Sequence, residues 1–438
     1  MGKRQQGKGL KQERNRTETG LKQDWEEVFG LDKVIFHIDV NSAFLSWEAV
    51  HRLQEGDQVD LREIPSAVAG DKNKRHGIIL AKSPLAKQCG VQTGEPIGAA
   101  LKKCPNLTLV PPNHQLYQEY SHAFIGILNE FSPCVEKYSI DEAYCDMTGM
   151  SDLLGLPLQA AYKIKDQIKK ELGFTVNIGI STNKLLAKMA SDFKKPDRVH
   201  TLYPDEIQEK MWILPVGELF FVGKSTVNKL HTLGIDTIGE LANTRVEILR
   251  AHLKKHGELI HSFANGIDTS VISQEEVKNK GYGNSTTISF DVEDESTAKM
   301  ILLSLAETVG ARLRGDDVRA NVVSVSIVDY EFRNSSHQTT LLSPTHSTDD
   351  IHKAACALFD ELWDGTPIRN LGIQTSKVEA DNNARQINLF GAEKDEKKEK
   401  LDQAIDLIRN RYGVTAIQRA SLVVEGRREK KKERKEKA

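Results

Sequence analysis

The sequence predicts a multidomain α+β protein, and three observations lead there. Strand-length apolar runs alternate with amphipathic helical segments in the order β-α-β-β-α-β across residues 34–202. The same order returns across 283–379, and a glycine-punctuated helical stretch lies between the two. A chain of 438 residues has room for roughly two to four domains.

Composition narrows the class. With 39% hydrophobic and 28% charged residues the chain reads as globular with some solvated tail. No run is long enough to cross a bilayer, and Met1–Thr19 lacks the apolar core of a signal peptide, so no membrane association and a cytoplasmic location are expected. The five cysteines form no Cys-x-x-Cys pair, which argues against a disulfide framework or a zinc site and for small buried hydrophobes. The net charge of −2 excludes a uniformly basic nucleic-acid binder. Residues 391–438 nevertheless carry 15 Lys and Arg against 10 Asp and Glu, a solvated tail able to add salt-sensitive attraction to a polyanion.

Residues 1–30 are polar and expected to be disordered, with a short amphipathic helix near Trp25–Phe29. Val34–Val40 is a buried strand ending on Asp39, and Asn41 and Ser42 offer an N-cap to a helix through Leu53. Asp39 at the carboxyl end of such a strand is a candidate catalytic acid, or equally a capping acid. Residues 56–112 read as a small inserted lobe: strands at Ile64–Ala69 and Gly77–Ala81 around a basic turn (Lys72, Lys74, Arg75, His76), then helices near Leu85–Gln88 and Pro96–Lys103. The main domain resumes with a helix at Leu116–Phe131 and a hairpin whose tip carries adjacent acids, Asp141 and Glu142. At a hairpin tip both can be aimed at one place, where they would suit a hard divalent cation; alone, the pair could be an exposed turn. A helix at Pro157–Leu172, a strand at Phe174–Ser181 and a helix at Asn183–Phe193 complete the pattern. It places Asp39 and the Asp141/Glu142 pair on neighbouring strands, the arrangement a two-metal phosphoryl-transfer site requires.

Three segments carry a more specific signal: Phe36-His37-Ile38-Asp39-Val40-Asn41-Ser42-Ala43-Phe44, Ser139-Ile140-Asp141-Glu142-Ala143-Tyr144, and Gly179-Ile180-Ser181-Thr182-Asn183-Lys184 with Lys195-Pro196. Together they resemble the palm motifs of Y-family lesion-bypass DNA polymerases of the UmuC/DinB group. The resemblance covers residues 34 to about 390 and implies a right-hand architecture: a ferredoxin-like palm (31–202) with inserted fingers (about 46–112), a helix-hairpin-helix thumb (203–270), a linker (271–282) and a β-α-β-β-α-β little finger (283–379), followed by residues 380–438 as clamp-binding motif and tail. It also implies two magnesium ions held by Asp39, Asp141, Glu142 and the carbonyl of Val40. By the same resemblance Phe44 closes the sugar pocket against a ribose 2′-hydroxyl, and Lys195 and Lys87 hold the triphosphate of a dNTP. Lys87 reads equally as a solvated helix lysine, and Lys184 as structural rather than catalytic.

Two positions depart from the pattern. Pro84 stands where many relatives place an aromatic hydroxyl and can donate nothing, so Ser83 or Lys82 are left to grip the nucleotide. Ala43 replaces a common aromatic.

Gly223-Lys224-Ser225 resembles the end of a P-loop, but the loop's first glycine would have to be residue 218, which is Glu. Phe221 to Ser225 reads better as the hairpin of a helix-hairpin-helix, with Val222, Gly223, Lys224 and Ser225 offering backbone N–H groups to a DNA phosphate. Arg319 and Arg333 are candidates for phosphate contact or plain surface. Gln386-Ile387-Asn388-Leu389-Phe390 resembles the peptide by which bacterial polymerases dock on the sliding clamp, with Gln386, Leu389 and Phe390 as anchors. A helix at Asp395–Arg411 and a strand-like segment at Ala420–Val424 have no assigned task. The expected partners are primer-template DNA, dNTP and the clamp, and a monomer is expected. The activity implied is DNA-templated, lesion-tolerant DNA synthesis; the alternative is a polymerase-fold accessory protein that binds DNA and clamp but incorporates poorly.

Overall fold

A strand covered on both faces needs apolar side chains along its length, and Ile-Phe-His-Ile-Asp-Val supplies them except at His37 and Asp39. In the computed structural model, which describes residues 33–71, 77–275, 278–381 and 392–422, this strand (β1, Ile35–Val40) is buried throughout. Helix α1 (Ala43–Gln54) follows. Ser42 stands at its N-cap with φ 49° but makes no capping bond there; Ser46 Oγ donates to Asn41 O at 2.6 Å instead.

The chain then leaves for a lobe with its own small core. The lobe contains β2 (Ser66–Ala69), β3 (Ile79–Lys82), α2 (Pro84–Gln88), α3 (Ile97–Lys103) and β4 (Thr108–Val110). The sequence pattern missed β4, a three-residue strand that pairs parallel to β2. The main sheet resumes with α4 (His114–Phe131), β5 (Cys134–Lys137), β6 (Glu142–Asp146), α5 (Pro157–Leu172), β7 (Val176–Ser181), α6 (Lys184–Asp192) and β8 (Val199–Thr201). Its strand order is β5-β6-β1-β7-β8, so the first strand lies in the middle, and the unexpected β8 extends the edge parallel to β7. Phe36, Ile38, Trp47, Tyr117, Phe124 and Ile164 fill the core between sheet and α4/α5. On the other face α6 lies against β7 so closely that a Cβ on Gly179 would fall 1.9 Å from the Ala187 carbonyl oxygen. Leu185, Leu186 and Met189 of α6 also enter the core of a helical lobe, made of α7 (Lys224–Thr232), α8 (Ile238–Asn243), α9 (Val246–Leu253) and α10 (Lys255–Ala264).

Residues 278–422 form a separate compact unit. Strands β9 (Gly281–Val292), β10 (Val318–Asp329), β11 (Asn334–Thr345) and β12 (Ile368–Ala380) alternate with α11 (Glu295–Gly315) and α12 (Thr348–Leu362) in the expected order. The sheet order is β11-β10-β12-β9. The first strand is thus at an edge, paired with the last, whereas in the main sheet it is central. One chain order therefore serves two different sheets.

The described part of the region after residue 380 is also folded. Helix α13 (Ala392–Tyr412) is held by ion pairs. Arg314 donates to Asp406 Oδ2 at 2.6 Å and to Asp402 Oδ2 at 3.2 Å. Asp402 also accepts from Thr348 N at 2.9 Å, satisfying an orphan amide at the start of α12. Arg409 and Arg419 both bond Glu307. Arg319, expected at a phosphate, is 4% exposed and bonds Asp381 and Glu399, and Arg333 pairs with Glu331. An arginine enclosed by two acids is not offered to DNA. Residues 420–422 are helical, not strand-like. Of the cysteines only Cys104 and Cys145 are buried, and Cys89 is exposed. The expected N-terminal disorder and helix, the basic turn, the Gln386, Leu389 and Phe390 anchors and the end of the tail lie outside the described residues.

Removing Arg319 would leave Asp381 and Glu399 without their common partner. Both acids keep some water contact, so Arg319→Ala should cost about 2 kcal/mol, less than a fully buried pair. Calorimetric unfolding of the two proteins side by side would check this; an unchanged transition would refute it.

Candidate functional site

Antiparallel pairing sets Asp39 opposite Glu142 on one side and opposite Asn177 on the other. Directly opposed residues share a face of the sheet at close range, so two carboxylates are forced together. Asp39 is 8% exposed. The adjacent acids of the hairpin differ in backbone setting. Glu142 is already the first residue of β6. Asp141 lies in the turn before it: its carbonyl accepts from Val40 N at 3.0 Å, and its Oδ1 accepts from Ser139 Oγ at 2.6 Å. Asp141 lines the open cleft together with Asp39 and Val40.

The electrostatics follow from burial. Desolvation pushes the Asp39 carboxyl up to about 7; Lys195 opposes this, and Glu142 adds to it. Burial also acts against ionised Glu142, but the His37 ring, the Asp39 carboxyl and the Lys188 ammonium outweigh it and hold Glu142 below the usual range. Burial and the facing acid thus favour the protonated form of Asp39, and the surrounding donors favour ionised Glu142. Each has a lysine: Lys195 Nζ lies 2.7 Å from Asp39 Oδ1, and Lys188 Nζ 2.7 Å from Glu142 Oε1. Beneath them His37 is fully buried, bonded to Ser191 Oγ at 2.7 Å, with Nε2 at 3.9 Å from Glu142. Desolvation lowers the His37 pKa, which keeps the ring neutral.

Lys188 is the functional residue that sequence reasoning missed. Its signal was available: Lys184 and Lys188 stand four apart on one helix face. Lys184 is structural, bonded to Glu136 at 2.6 and 2.8 Å. Lys195 is positioned by an amide network around its loop. Asn41 Oδ1 accepts from Thr175 Oγ1 and from Asp197 N, both at 2.9 Å, and Asn177 Nδ2 donates to Ser191 O and Lys194 O.

A cavity of about 740 Å³ opens beside Asp39, walled by β1, the start of α1, Lys195 and the inserted lobe. Phe44 lines it, stacked on Tyr117 at 4.4 Å and 13°. Tyr117 is in turn fixed by its hydroxyl donating to buried Glu48 at 2.7 Å. Lys87 lines the cavity from an exposed position on α2. Ser83, one of two residues expected to compensate for Pro84, is unavailable: it is fully buried and accepts from Ser66 N and Ala86 N, both at 3.1 Å. It caps α2, whose N1 residue is Pro84.

The donor set suits a hard divalent cation. Asp39 and Glu142 offer carboxylate oxygens, and two ammonium groups supply compensating positive charge. Among the described residues no three acidic, His or Cys side chains already gather as a cage. The third acid, Asp141, is tied to Ser139.

In the helical lobe Gly223 is the N-cap of α7, so Lys224 and Ser225 lie in the helix's first turn rather than in a hairpin. No strand leads into them, which removes the P-loop reading. Val222 is buried by its side chain, and only its backbone can face a phosphate. Phe221 takes φ +70°, a conformation that normally selects glycine; its exposed ring packs edge-on against Phe220 at 4.6 Å.

Comparison with known proteins fits this geometry. Residues 38–192 match the impB/mucB/samB family, residues 279–389 its C-terminal domain, and residues 218–268 the thumb domain described for DNA polymerase iota. DNA polymerase IV of Clostridium acetobutylicum is 48% identical over 394 residues, covering 90% of this chain and 99% of that one. DNA polymerase IV 1 of Bacillus subtilis is 37% identical, covering 90% and 94%. A solved Y-family DNA polymerase chimera, 22% identical, shares the fold with a TM-score of 0.69 over 79% of this chain and 99% of that one. With acids, lysines and cavity in place and relatives aligned over nine-tenths of its length, the chain belongs to the Y-family DNA polymerases of the impB/mucB/samB group.

Proposed function

We propose that the protein extends a DNA primer on a template, damaged bases included, by transferring nucleotidyl groups from dNTP to the primer 3′-hydroxyl. The observation that carries this reading is the register Asp39↔Glu142 at the mouth of a cavity that also receives Asp141, Phe44 and Lys195. Asp39, Asp141 and Glu142, with the Val40 carbonyl, would hold two magnesium ions. When bound, these supply the Lewis acidity that lowers the hydroxyl pKa and neutralises the leaving pyrophosphate. The chain's own residues do the rest. Lys195 holds a phosphate oxygen once it gives up Asp39, Lys188 keeps Glu142 ionised and in place, and Phe44 sits where a ribose 2′-hydroxyl would collide with it. Lys87 adds charge from the lobe. The amides at Gly223 to Ser225 hold a DNA phosphate without reading sequence.

An accessory protein without catalysis is the less favoured reading. A buried acid facing a half-buried one is costly unless a cation is to be bound there, and a purely DNA-binding protein has no use for the pair. Docking on a sliding clamp through Gln386, Leu389 and Phe390, a monomeric state and a cytoplasmic location complete the reading.

Primer extension with magnesium tests it: Asp141→Ala should lower the rate by at least about a thousandfold, and extension that survives this change would remove Asp141 from the site. Phe44→Ala should raise ribonucleotide incorporation by about a hundredfold; unchanged sugar selection would take that role from Phe44. Replacing Leu389 and Phe390 together by Ala should abolish stimulation by the clamp while leaving unassisted extension intact, and stimulation that persists would refute docking there.

A further inference from the structure

Three lysines line the cavity, and they differ in what they are doing. Lys195 is engaged by Asp39 at 2.7 Å and Asp192 at 2.9 Å. Lys87 stands in solvent on α2. Lys82, at the end of β3, is half-buried, and its ammonium donates to Thr93 Oγ1 at 3.1 Å. Among the described residues no carboxylate makes an ion pair with it. Glu95, whose field reaches Lys82, bonds instead to Lys103 Nζ at 2.5 Å and to Gln92 N at 2.8 Å. Desolvation, then the like charge of Lys87, lowers the Lys82 pKa. A partly dehydrated cation without a counter-ion is unfavourable until an anion arrives.

Thr93 completes the contact. Its oxygen accepts from Lys82, so its hydroxyl proton is free for another acceptor, and two N–H bonds of Lys82 are likewise uncommitted. Thr93 lines the same cavity. Nearby Pro84 has no donor, and Ser83 is fully buried with its oxygen held by two backbone amides.

We propose that Lys82 and Thr93 are a paired phosphate contact for the terminal phosphate of the incoming nucleoside triphosphate, Lys82 supplying charge and Thr93 a hydroxyl donor. The pairing rests on the reading of this cavity as the nucleotide site. Lys82 and Thr93 would meet the outermost phosphate of a seated triphosphate through charge-assisted hydrogen bonds, and a diphosphate held by the same sugar and base contacts ends one phosphate short of them. They therefore set the preference for triphosphate over diphosphate.

Equilibrium binding of dNTP and of dNDP to the full chain on a dideoxy-terminated primer-template tests this. Lys82→Ala should weaken dNTP binding about tenfold and dNDP binding much less. Thr93→Val should shift the same ratio in the same direction by a smaller factor, and Lys82→Arg should keep most of the preference. A dNTP-to-dNDP ratio unchanged in both Lys82→Ala and Thr93→Val would overturn the pairing, whether or not both affinities fall together as they would in a loosened lobe. Wild-type protein that binds neither nucleotide and extends no primer would instead bring down the nucleotide-site reading itself.

Discussion

Burial of Asp39 directly across from Glu142 is the constraint on which the rest of the site depends. Like charges in a medium of low polarity repel strongly, and the fold meets this with several devices at once. Burial shifts Asp39 toward its protonated form, Lys188 and Lys195 approach from α6 and from the loop beyond it, and a neutral histidine occupies the space beneath. Asn41 and Asn177 then hold the loop that carries Lys195. These groups largely offset one another's charge before any ligand binds, which makes the site preorganised rather than assembled on demand.

Much of this was legible in the sequence, because period and punctuation encode it. The helix at Pro157–Leu172 and the helix at Thr348–Leu362 appear with the boundaries that their apolar spacing implied. Asp39 was visible as an acid closing an apolar strand. What escaped was set by contacts distant in sequence. Strands β4 and β8 are three residues each, too short to show a period, and exist because a neighbour offers hydrogen bonds. Lys188 became part of the site only when α6 settled over β7 and β1, and the oxygen of Ser83 is taken up by the Ser66 amide of β2. Arg319 looks the same on paper whether it faces DNA or Asp381. Composition assigned the end of the chain to solvent, yet Arg314 and Arg319 bind the acids of α13.

The second unit shows how far pairing escapes pattern. Its β-α-β-β-α-β order equals that of the first, yet β9 sits at an edge where β1 sits in the middle. Burial tracks the difference. Both faces of β1 are covered, while β9 alternates between covered and open positions, as a strand with one solvated face does. An edge strand with one solvated face has no place for a buried carboxylate pair, and the acids are accordingly found in the other sheet.

The missing side chain at Gly179 has a mechanical consequence. With the Ala187 carbonyl almost in contact with the β7 backbone, α6 has no room to move closer to the sheet, and the backbone that carries Lys188 is held against β7. The opposite wall of the cavity is less constrained, because the inserted lobe rests on a small core of its own and carries Lys82 and Lys87 with it.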